Sequence, residues 1–342
     1  MRARLGCIAV VFGLSVVFAP ACAAAPAAQP STLGVASIAT LADRTPAGYR
    51  TEAAAIRAVH ARWIRIVVNW NELEPAPGQF AWARIDGAVE AARASGLSVL
   101  ALLAGPAPPW AAVPPYSASS IPADNTVAAA SASVIARRYG SRIAAWEVWN
   151  EPNLATSWTT PDPVAYARYF RAVAAALHAA SPGTTVLLGG LSTNPGGYPI
   201  GDFVDATVRT LGGRGFDGVA LHPYTFPYPP TADPLRREQS VPAVRGILDR
   251  AGRRDAKIWV TEFGQPTGDS FAGVSEAKQA DFIASGLTFF RSQPRMGPIF
   301  LFTSRDWSTD PTNSELNFGL YRFDWSPKEI ARRLMAQAPS DG

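Results

Sequence analysis

The sequence predicts an α/β fold, a (β/α)8 TIM barrel in a single domain, and three observations predict it. Short apolar runs alternate with amphipathic helical stretches without a break, which is the pattern of a parallel sheet. The strand–helix pairs number eight across the 342 residues, the accounting of one closed barrel. No Gly-x-Gly-x-x-Gly follows the first apolar run, so nothing supports a doubly wound sheet.

The strands are expected at Thr32–Ser37, Trp63–Asn69, Ser98–Leu103, Ala144–Trp149, Thr185–Leu191, Gly218–Leu221, Lys257–Thr261 and Ile299–Thr303. Each is short and apolar, and too brief for a helix of ordinary length. Helical periodicity lies between them near Glu52–Ala61, Trp82–Ser95, Val127–Tyr139, Val164–Ala180, Phe203–Leu211, Val241–Ala251, Ala277–Ser292 and Lys328–Gln337. Asp162-Pro163 opens the fourth of these, and Gly96 and Gly140 close the second and third. Nothing remains for a second domain, so residues 32–340 form the barrel.

The N-terminus reads as an export signal over residues 1–23: Arg2 and Arg4, an apolar run from Leu5 to Phe18, then Ala21-Cys22-Ala23. That run is shorter than the roughly 20 residues that span a bilayer, so no stable membrane insertion is expected. Residues 24–31 are an Ala/Pro linker, and the product is expected to be secreted or periplasmic. The only cysteines, Cys7 and Cys22, fall in the signal, which leaves the mature chain without disulfide or thiol chemistry.

Hydrophobic residues make up 48% of the chain and charged residues 17%, enough for a large core and unlike a disordered segment. A net charge of +4, lowered by two when Arg2 and Arg4 leave, gives no basic patch, so nucleic acid is not an expected partner. With His60, His178 and His222 the only histidines, and no clustered Cys, His and Asp, neither metal nor cofactor is expected.

Two strands end in a glutamate. One reads Trp146-Glu147-Val148-Trp149-Asn150-Glu151-Pro152-Asn153, the other Ile258-Trp259-Val260-Thr261-Glu262-Phe263-Gly264. In a barrel the strand C-terminal ends form the site, and strands four and seven lie roughly across its mouth. Glu151 and Glu262 can therefore face each other, the arrangement that cleaves glycosidic bonds. Either alone could be a helix cap or an ion-pair carboxylate; both together at strand ends point to catalysis.

Trp-Asn-Glu-Pro on strand four and Thr-Glu-Phe-Gly on strand seven resemble the signatures of clan A retaining glycoside hydrolases, over nearly the whole mature chain. The resemblance implies Glu151 as acid/base, Glu262 as nucleophile and Asn150 as a ligand of the sugar 2-hydroxyl. It also implies an arginine beneath the nucleophile, here Arg65, followed by Trp70-Asn71-Glu72-Leu73-Glu74-Pro75 and Gly78-Gln79-Phe80. A guanidinium there would hold Glu262 ionised; the alternative is a pair between Arg65 and Glu147 inside the barrel. Strand six ends in His222-Pro223-Tyr224, and the resemblance implies a hydrogen bond from Tyr224 to the nucleophile, with His222 in the same pocket. Glu74 reads as an organiser of the strand-two loop.

Trp110, Trp158, Tyr228 and Trp307 follow strands three, four, six and eight and are candidates to pack on sugar faces. Each could equally be loop packing. Trp307 resembles the strand-eight tryptophan that floors the site in the clan. Pro108-Pro109-Trp110, Arg138-Tyr139-Gly140 and Ser326-Pro327-Lys328 look most like family 39, with family 5 endoglucanases as close rivals. Many family 39 xylosidases carry an added β-sandwich, which this sequence lacks. The expected function is retaining endo cleavage of a polysaccharide by a monomer; exo action on xylose or arabinose units, and a silent glycan-binding barrel, are the alternatives.

Overall fold

A computed structural model describes residues 33–38 and 41–337. The expected signal, linker and both cysteines lie outside the described residues. Eight parallel strands close in sequence order: β1 (Leu33–Ala36), β2 (Trp63–Asn69), β3 (Ser98–Ala104), β4 (Ala145–Asn150), β5 (Thr185–Ser192), β6 (Gly218–His222), β7 (Lys257–Phe263) and β8 (Met296–Leu301). The helices are α1 (Pro46–Ala58), α2 (Trp70–Leu73), α3 (Ala83–Ala94), α4 (Asn125–Tyr139), α5 (Pro163–Ala180), α6 (Ile200–Leu211), α7 (Ser240–Arg250), α8 (Glu276–Ser292) and α9 (Glu329–Ala336). The barrel and its element order are as expected, and α2 is an addition inside the loop after β2. No described helix is long and apolar enough to cross a membrane.

Several helices start earlier than periodicity suggests, because their first turns are set by caps. The Thr45 side chain accepts from Gly48 N with Pro46 in the first turn, which moves the start of α1 six residues back from Glu52. Asp124 and Asp162 cap α4 and α5 in the same way. At the other end, β8 stops at Leu301, and Phe302 and Thr303 leave the ladder.

Side chains alternate between the barrel interior and the helix layer. At the N-terminal end the interior is filled by Leu100, Ala145, Leu187, Ala220, Trp259 and Phe300, with Trp63 against them. Trp63 meets Trp259 edge-on at 5.2 Å, and Phe300 stacks beside Trp259. Gly34 leaves room for the Phe300 ring and Gly297 for Trp259. Two residues further along the strands, Arg65, Glu147 and Thr261 replace this apolar layer. The barrel is thus closed by hydrocarbon below and by charge above, and the charged layer floors the site.

The candidate active site

Arg65 is the centre of the charged layer and is 2% exposed. All three of its guanidinium nitrogens donate. Nε donates to Glu147 Oε2 at 2.7 Å, Nη1 to Glu262 Oε1 at 2.6 Å, and Nη2 to Asn150 Oδ1 at 3.0 Å. The two alternatives read from the sequence are therefore both present: one arginine binds the strand-seven carboxylate and the buried Glu147 together. Burial disfavours the guanidinium's charge, but Glu147 and Glu262 outweigh it and raise its pKa.

Glu147 is fully buried, and its Oε1 also accepts from Gly190 N at 2.9 Å and Thr261 Oγ1 at 3.0 Å. Burial alone would raise its pKa; the Arg65 charge reverses that and takes it to about 2. The β5 bulge between Leu188 and Leu191 places the Gly190 N–H there. Gly190 also leaves the only space for the His222 ring, since a Cβ would overlap both His222 Nε2 and Glu147 Oε1.

The strand ends that carry the glutamates break strict alternation. Trp259 and Thr261 face inward, so a regular β7 would turn Glu262 outward. A register shift between Val260 and Phe263 turns it into the mouth instead, while Phe263 packs outward on Phe282 and Phe290. On β4, Trp149 (φ 74°) and Glu151 (φ 46°) both take left-handed backbone on either side of Asn150. Two such residues in three positions store strain, and packing holds them. Trp149 Nε1 donates to Ser157 O at 2.9 Å, and Glu151 N donates to Gly190 O at 2.9 Å. Asn153, at the end of the motif, ties β4 to β5 through Ser192 N, Ser192 O and Tyr198 O.

Tyr224 Oη donates to Glu262 Oε2 at 2.9 Å, so both oxygens of Glu262 are hydrogen-bonded. The tyrosine ring is held by Phe226, Phe302 and Phe318. Its burial, then the Glu262 charge, raises the phenol well above its ordinary pKa, so it remains a donor.

His222 is fully buried and links the two sides. Its Nδ1 lies 3.0 Å from Glu151 Oε1 and 3.6 Å from Glu262 Oε2; its Nε2 lies 3.1 Å from Thr261 Oγ1. The Thr261 hydroxyl spends its proton on Glu147, so it accepts from His222 Nε2–H. That leaves one proton on the line between Nδ1 and Glu151, carried either by an imidazolium or by a carboxylic acid. Burial disfavours the imidazolium, but Glu262 and the hydrogen-bonded carboxylates raise its pKa to about 9. Burial likewise favours a neutral Glu151, yet the His222 hydrogen bond holds that carboxyl low while the ring keeps its proton.

Glu151, His222 and Glu262 present ligand atoms within 4.8 Å of one another, close enough to share a cation. Those atoms already serve one another, Arg65 and Tyr224. The nearest oxygens of the two glutamates thus lie within 4.8 Å, in keeping with the close carboxyl pair of a retaining enzyme, about 5–5.5 Å.

The tryptophans divide. Trp158 is 2% exposed, packed edge-on against Trp149, Tyr166 and Tyr169. It has no free face for a sugar, so its expected stacking role is corrected to support of the β4 loop. Trp110 is half-buried, edge-on to Trp70, with its Nε1 donating to Glu74 O at 3.0 Å. Glu74 organises that loop, accepting from Trp70 Nε1, Gly78 N and Ser131 Oγ. Trp307 is half-buried, and Phe302, just past the end of β8, lines the depression at the mouth with Arg65, Asn150, Trp149 and Glu262. Phe302 is thus a further aromatic at the site, placed there because β8 ends just before it.

Sequence reading missed Thr261, Gly190 and Phe302. Thr261 was within reach, two residues after Trp259 on the inward face; Gly190 and Phe302 depend on a bulge and a strand end that periodicity does not mark.

The profile of the cellulase family (glycosyl hydrolase family 5) matches residues 39–292. The chain belongs to this family. Among solved structures, a family 39 glycoside hydrolase from the gut symbiont Bacteroides cellulosilyticus WH2 is 25% identical with a TM-score of 0.73, over 90% of this chain and 63% of that one. This chain thus spans less than two thirds of that protein. A family 39 enzyme from Xanthomonas axonopodis pv. citri is 20% identical with a TM-score of 0.69, over 90% and 67%. A family 10 endoxylanase from a sugarcane soil metagenome is 17% identical with a TM-score of 0.63, over 89% and 96%. The latter two share the fold. Comparison with curated proteins gives no match. The resemblances to families 39 and 5 read from the sequence both recur, one among the solved structures and one in the family profile.

Proposed function

We propose that this glycosyl hydrolase family member cleaves O-glycosidic bonds within a polysaccharide by double displacement with retention. The observation that carries the reading is the unequal surroundings of two carboxylates within 4.8 Å. Glu262 accepts from Arg65 and Tyr224, while Glu151 shares a proton with His222. A Glu262 oxygen attacks the anomeric carbon as the bond to the leaving oxygen breaks, and Glu151 gives that oxygen the proton of the His222 link. Water then attacks the same carbon, Glu151 takes its proton, and Glu262 leaves as a carboxylate. Asn150, held by Arg65 at its Oδ1, has its Nδ2 available for the sugar 2-hydroxyl.

What supports endo action is the spread of the depression's lining over β1, β2, β3, β4, β7 and the segment after β8. The Arg2–Ala23 pattern of the sequence supports export, and we take the enzyme to act outside the cytoplasm as a monomer. Incubation with 2-fluoro glycosides, then peptide mass spectrometry, tests the chemistry. Label on Glu262 is expected; label on any other residue, or products with inverted configuration, would end the proposal.

A further inference from the structure

We infer that Asn69, the last residue of β2, is a specificity-determining residue that hydrogen-bonds the 3-hydroxyl of the sugar under attack. The inference rests on the proposed function, which puts the anomeric carbon at Glu262 and the 2-hydroxyl at Asn150.

Strand alternation carries Asn69 to the site. Arg65, Val67 and Asn69 all line the depression, while Ile64, Ile66 and Val68 between them are buried in the core under the helices. Asn69 therefore stands two inward positions beyond Arg65, on the wall above the charged layer. It pairs in register with Ala104 of β3, as Val67 does with Leu102. One depression thus joins Asn69 to Arg65, Asn150 and Glu262.

The amide of Asn69 is unspent. The residue precedes α2 with extended backbone (φ −69°, ψ 116°), which is the position and geometry of an N-cap. An asparagine there normally turns its side-chain oxygen back to the first helical N–H groups. Asn69 makes no such bond, and among the described residues its side chain has no other hydrogen-bond partner. A half-buried amide with two donors and an acceptor is left on the wall of the depression.

The groups around it are already committed or apolar. Ser37, on the β1 side, gives its hydroxyl proton to Glu52 Oε2 at 2.6 Å. Arg65 donates to Glu147, Glu262 and Asn150. The β3 residues in the lining, Leu102, Ala104, Gly105 and Ala118 of the following loop, carry no polar side-chain atom. From Asn150 on β4 the lining runs on to β3 and then β2, the next strands in the barrel order. With C1 at Glu262 and C2 at Asn150, the carbon that faces those strands is C3.

A free hydroxyl both donates and accepts, and a primary amide answers both. A glycosylated oxygen only accepts, and it brings a further ring to the same wall. The sugar that Asn69 selects is therefore not linked onward through O3. The substrate class is a glycan joined at another position, such as a 1,4-linked chain.

A cycle between enzyme variant and substrate variant tests the contact. The quantity measured is kcat/KM on 2,4-dinitrophenyl glycosides of glucose, xylose and mannose, with 3-deoxy and 4-deoxy analogues of whichever is cleaved. Asn69→Ala should lower it about tenfold, the scale of one neutral hydrogen bond made in the site. Loss of the 3-hydroxyl should cost the unmutated enzyme a similar factor, and cost Asn69→Ala less than about twofold. The 4-deoxy analogue should lose the same factor with both enzymes. Asn69→Ser keeps a capping residue but reaches less far, so it should behave as Asn69→Ala, and the urea midpoints of all three should agree. Independent losses for Asn69 and the 3-hydroxyl, coupling to the 4-hydroxyl, rescue by Asn69→Ser, or efficient cleavage of a 1,3-linked glucan would overturn the inference. Coupling of the 3-hydroxyl to Ser157→Ala in place of Asn69→Ala would do the same, since Ser157 also lines the depression. Each of these leaves the hydrolase reading standing. Hydrolysis of no glycoside and no polysaccharide by the unmutated protein would overturn both.

Discussion

Arg65 serves two carboxylates that have different tasks, and this sets what each substitution should do. Replacing Glu147 by Gln leaves the guanidinium buried with one carboxylate fewer, a change that typically costs about 3–5 kcal/mol in a buried pair. Urea unfolding of Glu147→Gln should show a loss of that order; a change under about 1 kcal/mol would mean the pair is not the anchor described. The pH dependence follows from the same groups. Glu147 is held at about 2 against an ordinary 4.5, so its contribution is present above 4.5 and lost as pH falls towards 2. His222 is held at about 9 against 6.5, so its contribution is present below 6.5 and lost as pH rises towards 9. Both are complete between 4.5 and 6.5, where Tm should be highest. His222→Asn should flatten the alkaline side alone. For activity, the His222–Glu151 link must keep its proton, so kcat/KM should fall as pH rises through about 9, and His222→Asn should move that limb to lower pH. At this scale the sequence was highly legible: Glu151, Glu262, Arg65, Asn150, His222 and Tyr224 stand together as motif and strand position suggested. Trp158 was not, because nothing in a tryptophan's neighbours along the chain says which way its ring turns.

Between elements, the site depends on departures from regularity that the strands themselves do not advertise. The β7 register shift brings Thr261 and Glu262 inward in succession, the β5 bulge delivers Gly190 N–H to Glu147, and left-handed Trp149 and Glu151 bend the end of β4. Period-two patterning finds strands and assigns Trp63, Arg65, Trp259 and Thr261 to the interior, but it is blind to a bulge. Helix starts were missed for a related reason: Thr45 and Asp124 act through side-chain caps outside the apolar repeat, whereas Asp162-Pro163 marked the start of α5 in the sequence. Gly190 tests the element-level argument directly. A methyl there overlaps His222 Nε2 and Glu147 Oε1, so Gly190→Ala should cost about 1–3 kcal/mol of overpacking. It should also abolish most activity while the far-UV circular dichroism stays that of a barrel. Full activity in that variant would show that the charged layer tolerates a displaced imidazole.

The barrel as a whole is closed by its shortest strand. β1 meets β8 over three residue pairs, Leu33 with Ile299, Gly34 with Phe300 and Val35 with Leu301, so the seam joining the two ends of the chain has little ladder of its own. Glu52 of α1 supplies the rest. It is 1% exposed and reaches the mouth end of the seam, where Oε2 accepts from Ser37 Oγ at 2.6 Å and Oε1 from Ile38 N at 2.7 Å and Ser304 Oγ at 2.5 Å. Ser304 N and Thr303 Oγ1 then donate to Ala36 O at 3.0 and 2.9 Å. Ser37 and Phe302 line the depression, so the stitch that closes the barrel also shapes the floor on which substrate would rest. Glu52→Ala removes a charged acceptor from three buried donors, each such bond worth about 1.5–3 kcal/mol, of which relaxation and water recover part. The expected net loss is about 2–5 kcal/mol, with Glu52→Gln milder because its amide oxygen keeps the Ile38 bond. Hydrogen exchange locates the effect: in Glu52→Ala, protection should fall together in β1 and in the segment after β8, far apart in sequence and joined only at the seam. Loss confined to α1 would mean that Glu52 merely anchors its own helix, and that the three-residue ladder closes the barrel unaided.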